Sequence, residues 1–172
     1  MSGPAGVGKS TTSRALVHAL KNSAYISGDD VSHMHVKGRR KPWESKRETA
    51  LIWNNIGSLT RNFIREGIDV VIDYVAFPDE AYRLQEQLSD LNARFIYVVL
   101  WTDPATLLHR DRLREPQHRM GERSLVLLEE FRASGLSSRH MLDTSGQGSE
   151  AMTETIDKIM QDRRFALGEE HV

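Results

Sequence analysis

The segment Gly3-Pro4-Ala5-Gly6-Val7-Gly8-Lys9-Ser10-Thr11 satisfies the pattern G-x-x-x-x-G-K-[ST] without a mismatch, and no other stretch constrains the fold as strongly. Its glycines allow backbone conformations that a Cβ resists, so successive N–H groups can converge on one point. A helix opening at Ser10 turns its positive end toward the same point. Such a cradle suits phosphate. The residues expected to contact a nucleotide there are Gly3, Ala5, Gly6, Val7, Gly8, Lys9, Ser10 and Thr11. Lys9 would bridge the β- and γ-phosphates, and the Ser10 hydroxyl would ligate Mg²⁺. The motif ordinarily sits between a buried strand and a helix, which points to an α/β chain with a parallel sheet.

Only Met1 and Ser2 precede the loop, whereas strands commonly run about 5–6 residues. The expectation is a polypeptide that starts upstream, with Met1 within or at the end of the first strand. The 172 residues suit one domain, 1–172, with a sizeable core. Beyond the loop, β-rich runs alternate with helical patterns. A helix is expected over 10–20 with Leu16, Val17 and Leu20 inward, and a strand over 24–27 ending at Gly28. Ile52, Ile56, Leu59 and Phe63 lie 4, 3 and 4 apart, one buried helical stripe within 48–65 that stops at Gly67. Residues 68–75 (IDVVIDYV) and 95–101 (FIYVVLW) read as buried strands. Pro78 opens one helix, and Thr102-Asp103-Pro104 caps another that ends before Pro116. A helix over 122–134 closed by Gly135, a short strand over 140–143 and a last helix over 150–163 complete the order. The leucines of 125–128 are core.

Composition removes several classes. With 23 Lys+Arg against 24 Asp+Glu, the formal net charge is −1, so nucleic acid is an unlikely partner and would rest on a local patch alone. The absence of cysteine excludes disulfides, thiolate nucleophiles and sulfur-held zinc. No apolar run approaches the roughly 18 residues of a membrane span, and no signal peptide is visible. The chain reads as cytoplasmic. An N-K-x-D guanine-reading motif is absent, and Asp73 is followed by Tyr74 rather than by the second acid of many ATPase motors. Ser145-Gly146-Gln147 superficially matches a transporter signature whose surroundings do not fit.

The positive features favour phosphoryl transfer to a small-molecule hydroxyl. Gly28-Asp29-Asp30 follows the second strand, where strand ends face the ligand crevice. A carboxylate there can accept a proton as a substrate oxygen attacks the γ-phosphate, and the residues leave Asp29 and Asp30 both open for the role. Asp73 can hold Mg²⁺ through water. The run from Arg110 to Arg123 carries Arg110, Arg114 and Arg123 around Pro116 and Gly121, a composition for a closing lid over about 110–123 whose guanidinium groups stabilise spread negative charge. Residues 33–47 hold Lys37, Arg39, Arg40, Lys41, Lys46 and Arg47 against Glu44 alone. That segment either borders an acceptor pocket over about 29–48, with Trp43 as an aromatic wall and an anionic or polyhydroxyl substrate, or is a surface excursion. His33-x-His35 has ligand-like spacing but no evident third partner. A nucleotide-binding regulatory protein that hydrolyses ATP slowly without an acceptor is the competing reading. Oligomeric state is open.

Several stretches together (SGPAGVGKST, Gly28-Asp29 followed by His33, Lys41-Pro42-Trp43-Glu44, VVIDYVAFPDEA, and RD…R…MGER) resemble bacterial P-loop proteins of the gluconate-kinase-like or AAA-type ATP-binding group. More distantly the chain is similar to shikimate and gluconate kinases, chloramphenicol phosphotransferase and zeta-type toxins. The resemblance spans Ser2 to about Ile159. It implies a P-loop three-layer α/β sandwich with a five-stranded parallel sheet of order 2-3-1-4-5, whose first strand looks truncated here. It implies ATP with Mg²⁺ and transfer to a small-molecule hydroxyl. On that pattern Asp29 matches the acceptor-side carboxylate, Arg110, Arg114 and Arg123 match lid positions, and the turn carrying Ser145 and Gly146 passes near the adenine. The segment after His33 does not match the gluconate-specific residues.

Overall fold

The structure is a computed structural model that describes residues 1–116 and 119–168. Gln117 and His118, inside the expected lid, and residues 169–172 lie outside the described residues. Four short strands, β1 (Ser23–Ser27), β2 (Asp69–Asp73), β3 (Val99–Trp101) and β4 (Met141–Asp143), pair in two parallel ladders. β1 runs beside β2 from Ser23↔Asp69 to Ser27↔Asp73, and β3 beside β4 from Val99↔Met141 to Trp101↔Asp143. Met1 and Ser2 bridge the gap between the ladders. Met1 N donates to Ile72 O (2.9 Å) and Tyr74 N to Met1 O (3.4 Å). On the other side Ser2 N donates to Val98 O (2.7 Å) and Leu100 N to Ser2 O (2.9 Å), with Ser2 in a parallel bridge to Val99. The order is therefore β1-β2-(1–2)-β3-β4, the expected 2-3-1-4-5 sheet with a two-residue centre.

Among the described residues seven α-helices flank it: α1 (Lys9–Ala19), α2 (Gly28–His33), α3 (Lys46–Arg65), α4 (Pro78–Gln87), α5 (Pro104–Arg112), α6 (Glu122–Ala133) and α7 (Met152–Gln161). The alternation of side chains along a strand explains the layers. Val98 and Leu100 face one way, into a core with Val7, Leu107, Leu142, Ile159 and the half-buried Leu16, on the side of α1 and α7. Tyr97 and Val99 face the other way, against Ala81 and Phe131. On that second face α3 lays Ile52, Ile56, Leu59 and Phe63 over Ile26, Val70 and Ile72, the stripe its spacing implies. α3 begins two residues before that stripe's reading because the Ser45 hydroxyl accepts from Glu48 N (3.3 Å) and caps it. Gly67, at φ +71°, stops the chain after it as expected.

Three expectations need correction. Residues 95–101 are not one parallel strand: the ladder holds only 99–101, and 95–97 pair antiparallel with 165–167 through Tyr97 N to Phe165 O (2.8 Å) and Leu167 N to Phe95 O (2.9 Å). The three-residue β4 does not reach that half, and a later segment satisfies its backbone. Residues 28–33 form α2, which the sequence reading missed. Ser27 caps it by accepting from Asp30 N (3.1 Å), so Asp29 and Asp30 lie in a helical first turn. On α1 the fully buried residues are Thr12 and Ser13, while Leu16, Val17 and Leu20 are half-buried.

Ser2 ties the sheet to the loop after β2. Its buried hydroxyl donates to Ala76 O (2.8 Å) and accepts from Ala76 N (2.8 Å). Ser2→Ala should cost about 1–3 kcal/mol, because it strands a buried amide N–H. The check is urea unfolding, with the midpoint lowered and the slope unchanged.

Candidate functional site

The loop from Gly3 to Gly8 leaves the centre of the sheet and turns into α1. Gly3 (φ +131°), Gly6 (φ +86°) and Gly8 (φ +104°) occupy conformations that L side chains rarely adopt. A Cβ on Gly3 would also overlap the Leu100 carbonyl oxygen, so this glycine is required by the neighbouring strand as well. Gly8 is the N-cap of α1 and offers no side-chain acceptor, and the first turn of α1 holds no acid. Among the seven described α-helices, α1 alone lacks both: the others have a capping side chain, an acid in the first turn, or both. Its first N–H groups and its positive end are left for an external anion.

Lys9 reinforces that field. Its Nζ donates to Pro4 O (2.9 Å). Burial pushes its pKa down to about 8, against the attraction of Asp73 and Asp29 and with some help from Arg114. A lysine whose charge is costly where it sits gains most from an incoming anion.

A cavity of about 710 Å³ opens from this helix end. Loop residues Ala5 to Thr11 form its floor, with Asp29, Asp73, Arg110, Arg114 and Arg123 on its walls. All of the expected catalytic and metal residues thus line one space. Asp29 lines it and Asp30 does not. Asp73 is buried and its Oδ2 accepts from the Tyr25 hydroxyl (2.7 Å).

Gly3, Ser145 and Gly146 are not among the lining residues. The Ser145 hydroxyl instead accepts from Asp103 N (3.0 Å), fastening β4 to the start of α5. The positions of that turn that reach the cavity are Thr144, Gln147 and Gly148.

The arginines differ in kind. Arg110 lies on α5 and is a clasp: its two terminal nitrogens donate to Val7 O (3.1 Å), Thr144 Oγ1 (3.2 Å), Thr144 O (3.0 Å) and Gln147 O (2.9 Å). Arg123 pairs in two-pronged fashion with Glu130 (2.8 and 3.2 Å), its guanidinium 5.8 Å from the centre of the Trp43 ring. Arg114 is exposed, 3.6 Å from Asp111.

Several site residues escaped the sequence reading. Buried Asp111 accepts from Met120 N (3.0 Å) and Gly121 N (2.8 Å), pinning the far end of the arginine-rich loop. Burial opposes its ionised form, but those two N–H donors and Arg114 outweigh it and hold the carboxyl below its usual range. Tyr74, Trp53, Phe77 and Glu80 also line the cavity. The one sequence signal for them was Tyr74 directly after Asp73. The basic segment is ordered rather than loose, because buried Glu48 takes His35 Nδ1 (2.8 Å) and Arg40 N (3.4 Å) on its two oxygens. His33 Nδ1 bonds Asp29 O (2.6 Å), and among the described residues no cluster of three metal-ligating side chains occurs.

A parallel sheet whose centre runs into this glycine loop and an uncapped helix defines the P-loop α/β class. The chain belongs to the AAA domain family, matched over residues 1–134. Its fold is similar to that of a gluconokinase from Sinorhizobium meliloti, at 18% identity and TM-score 0.62, over 92% of this chain and 86% of that one. A tunicamycin resistance protein of Deinococcus radiodurans is similar at 21% identity and TM-score 0.62, over 93% and 92%. So is the Mycobacterium tuberculosis APS kinase, solved in complex with AMPPNP and APS, at 18% and 0.60, over 91% and 92%. No curated protein sequence matches the chain.

The lysine gives a pH test. Unfolded, Lys9 has its ordinary value of 10.5; folded, about 8. Between these values the unfolded chain binds the extra proton, so stability rises with pH on this account. The stability difference between wild type and Lys9→Met should therefore move in favour of wild type as pH rises from 7 to 10. Urea unfolding at stepped pH checks it, and a pH-independent difference would contradict it.

Proposed function

We propose that the protein transfers the γ-phosphoryl group of ATP, in line, to a hydroxyl of a small molecule. The observation that carries this reading is that one cavity joins an uncapped helix end and a partly desolvated lysine to an exposed carboxylate on a different element, Asp29. A protein that only bound nucleotide would have no use for the second half. Two of the proteins with a similar fold are kinases, which supports this reading.

In this reading the amides of Ala5, Gly6, Val7, Gly8 and Thr11 cradle the phosphates and Lys9 spans the β- and γ-groups. Ser10 and Asp73 offer a hydroxyl and a carboxylate, oxygen ligands that suit Mg²⁺, with water and phosphate completing its shell. When bound, that ion neutralises charge developing on the phosphate oxygens. Asp29 orients the acceptor hydroxyl and takes its proton as the new O–P bond forms and the bond to the β-phosphate oxygen breaks, releasing ADP. Arg114 and Arg123 meet the charge on the equatorial oxygens. Arg110 shapes the nucleotide end by holding the Thr144–Gln147 turn to the loop. The lid begins after Asp111, since Arg110 and Asp111 are both tied to fixed backbone.

Lys9→Ala should abolish nucleotide binding. Asp29→Asn should keep ATP affinity within about threefold and lower transfer by 10²–10⁴-fold, the usual scale for a positioned base. Calorimetry with AMPPNP and ³¹P NMR of ATP with sugars, acids, nucleosides and antibiotics check both. Full transfer by Asp29→Asn removes the base assignment. Phosphate release that no acceptor alters would favour a regulatory ATP-hydrolysing protein.

A further inference from the structure

Part of the cavity wall is built from aromatic rings. Trp43, Trp53, Tyr74 and Phe77 line it together with Asp29 and Arg39. Trp53, Tyr74 and Phe77 pack against the core and leave part of their surface to the cavity. Trp43 is 57% exposed, at the mouth, with Lys41 Nζ 5.7 Å and the Arg123 guanidinium 5.8 Å from its centre. Tyr74 is half-buried and held from two sides: its ring lies 5.6 Å from Trp53, centre to centre, and packs onto Gly28, where any Cβ would overlap it.

Two polar groups face this aromatic space without protein partners for their reactive atoms. No protein group among the described residues hydrogen-bonds the Tyr74 hydroxyl, and burial raises its pKa to about 12, so it stays a neutral donor. Arg39 Nε donates to the buried Ser32 hydroxyl (3.0 Å), which fixes the guanidinium while its two terminal nitrogens donate to no acceptor among the described residues. The nearby carboxylates are already engaged: Glu48 by His35 and Arg40 N, Glu80 Oε2 by Phe77 N (3.0 Å). Of the six cations in the 33–47 segment, Arg39 alone lines the cavity.

We propose that the acceptor is an alcohol with a planar aromatic or heteroaromatic body and an anionic group: the ring lies among Trp43, Trp53, Tyr74 and Phe77, the anion takes the free fork of Arg39, and the hydroxyl meets Asp29. This rests on the kinase reading and narrows it. A polyhydroxy acid would pair several hydroxyls with apolar ring faces and leave them unsatisfied, a cost of order 1–3 kcal/mol for each buried group. A flat ring stacks on such faces favourably, and a planar anion matches a fixed guanidinium. The step is the one above: the aryl-bearing alcohol loses its proton to Asp29, gains the γ-phosphoryl group, and ADP leaves.

The test uses full-length protein with four probes: 4-(hydroxymethyl)benzoate, the neutral 4-methylbenzyl alcohol, gluconate and glycerol. AMPPNP binding is measured alongside, and phosphoester is read by ³¹P NMR. The expected order places 4-(hydroxymethyl)benzoate first by at least tenfold in kcat/KM over each of the others. Arg39→Met should raise KM for the benzoate at least tenfold and leave 4-methylbenzyl alcohol within about twofold, a split that general loss of structure would not produce. Phosphorylation of gluconate or glycerol in preference to the aromatic acid overturns the acceptor class and leaves the kinase reading intact. AMPPNP binding with no phosphoester from any probe, and ATP hydrolysis indifferent to all four, overturns both. An Arg39→Met variant that treats the acid and the neutral alcohol alike removes the anion subsite.

Discussion

The positive end of α1 is left electrostatically unanswered, and most of the surrounding architecture can be derived from that. Gly8 in a left-handed conformation turns the chain into the helix without bringing an acceptor, and Lys9 follows with only the Pro4 carbonyl to bond. Helix N-termini elsewhere in the molecule are neutralised by Ser27, Ser45, Asp103 or first-turn acids. Stability alone would favour the same treatment here. The structure instead holds its two nearest counter-charges, Asp73 and Asp29, on other elements, close enough to pull the Lys9 pKa up and too far to pair with it. A site strained in this way is preorganised for an anion.

Keeping such a loop in place requires bracing from residues that contact no ligand. Arg110 and Asp111 supply it as consecutive residues facing opposite tasks. Arg110 staples the loop carbonyl of Val7 to the turn after β4. Asp111 staples the end of α5 to Met120 and Gly121. Gly121 (φ +52°) supplies the conformation that lets its own N–H face that carboxylate before α6 begins. What looks in sequence like one arginine-rich lid thus includes a fixed frame at both of its ends. Arg123 sits at the boundary, paired to Glu130 while bordering the cavity.

This division explains what the sequence made legible. Local rules carried the loop, the α3 stripe and the Asp103-Pro104 cap, because each depends on near neighbours, whereas the sheet order came from the family resemblance. Non-local pairing did not show: residues 95–97 pair with 165–167, far along the chain, and periodicity within 95–101 cannot report that. α2 escaped because six residues with one apolar side chain at Val31 carry no periodic signal. Arg110, Arg114 and Arg123 border one cavity, but that the Arg110 guanidinium faces carbonyls depends on partners thirty to a hundred residues away. Ser145 was read as site and is a brace for the same reason.

Placing Asp29 in the first turn of a helix also bears on how much base catalysis the proposed reaction asks for. Phosphoryl transfer through a loose transition state draws little on base strength and much on alignment and on charge stabilisation at the equatorial oxygens. Ser27 caps α2, His33 bonds back to the Asp29 carbonyl, and Gly28 is locked under Tyr74, so the backbone carrying Asp29 is held at three points. The helix that the sequence reading missed is what gives that carboxylate a fixed position. In the proposed reaction Asp29 acts through its orientation, and Tyr74, seated on Gly28, shares the same anchor.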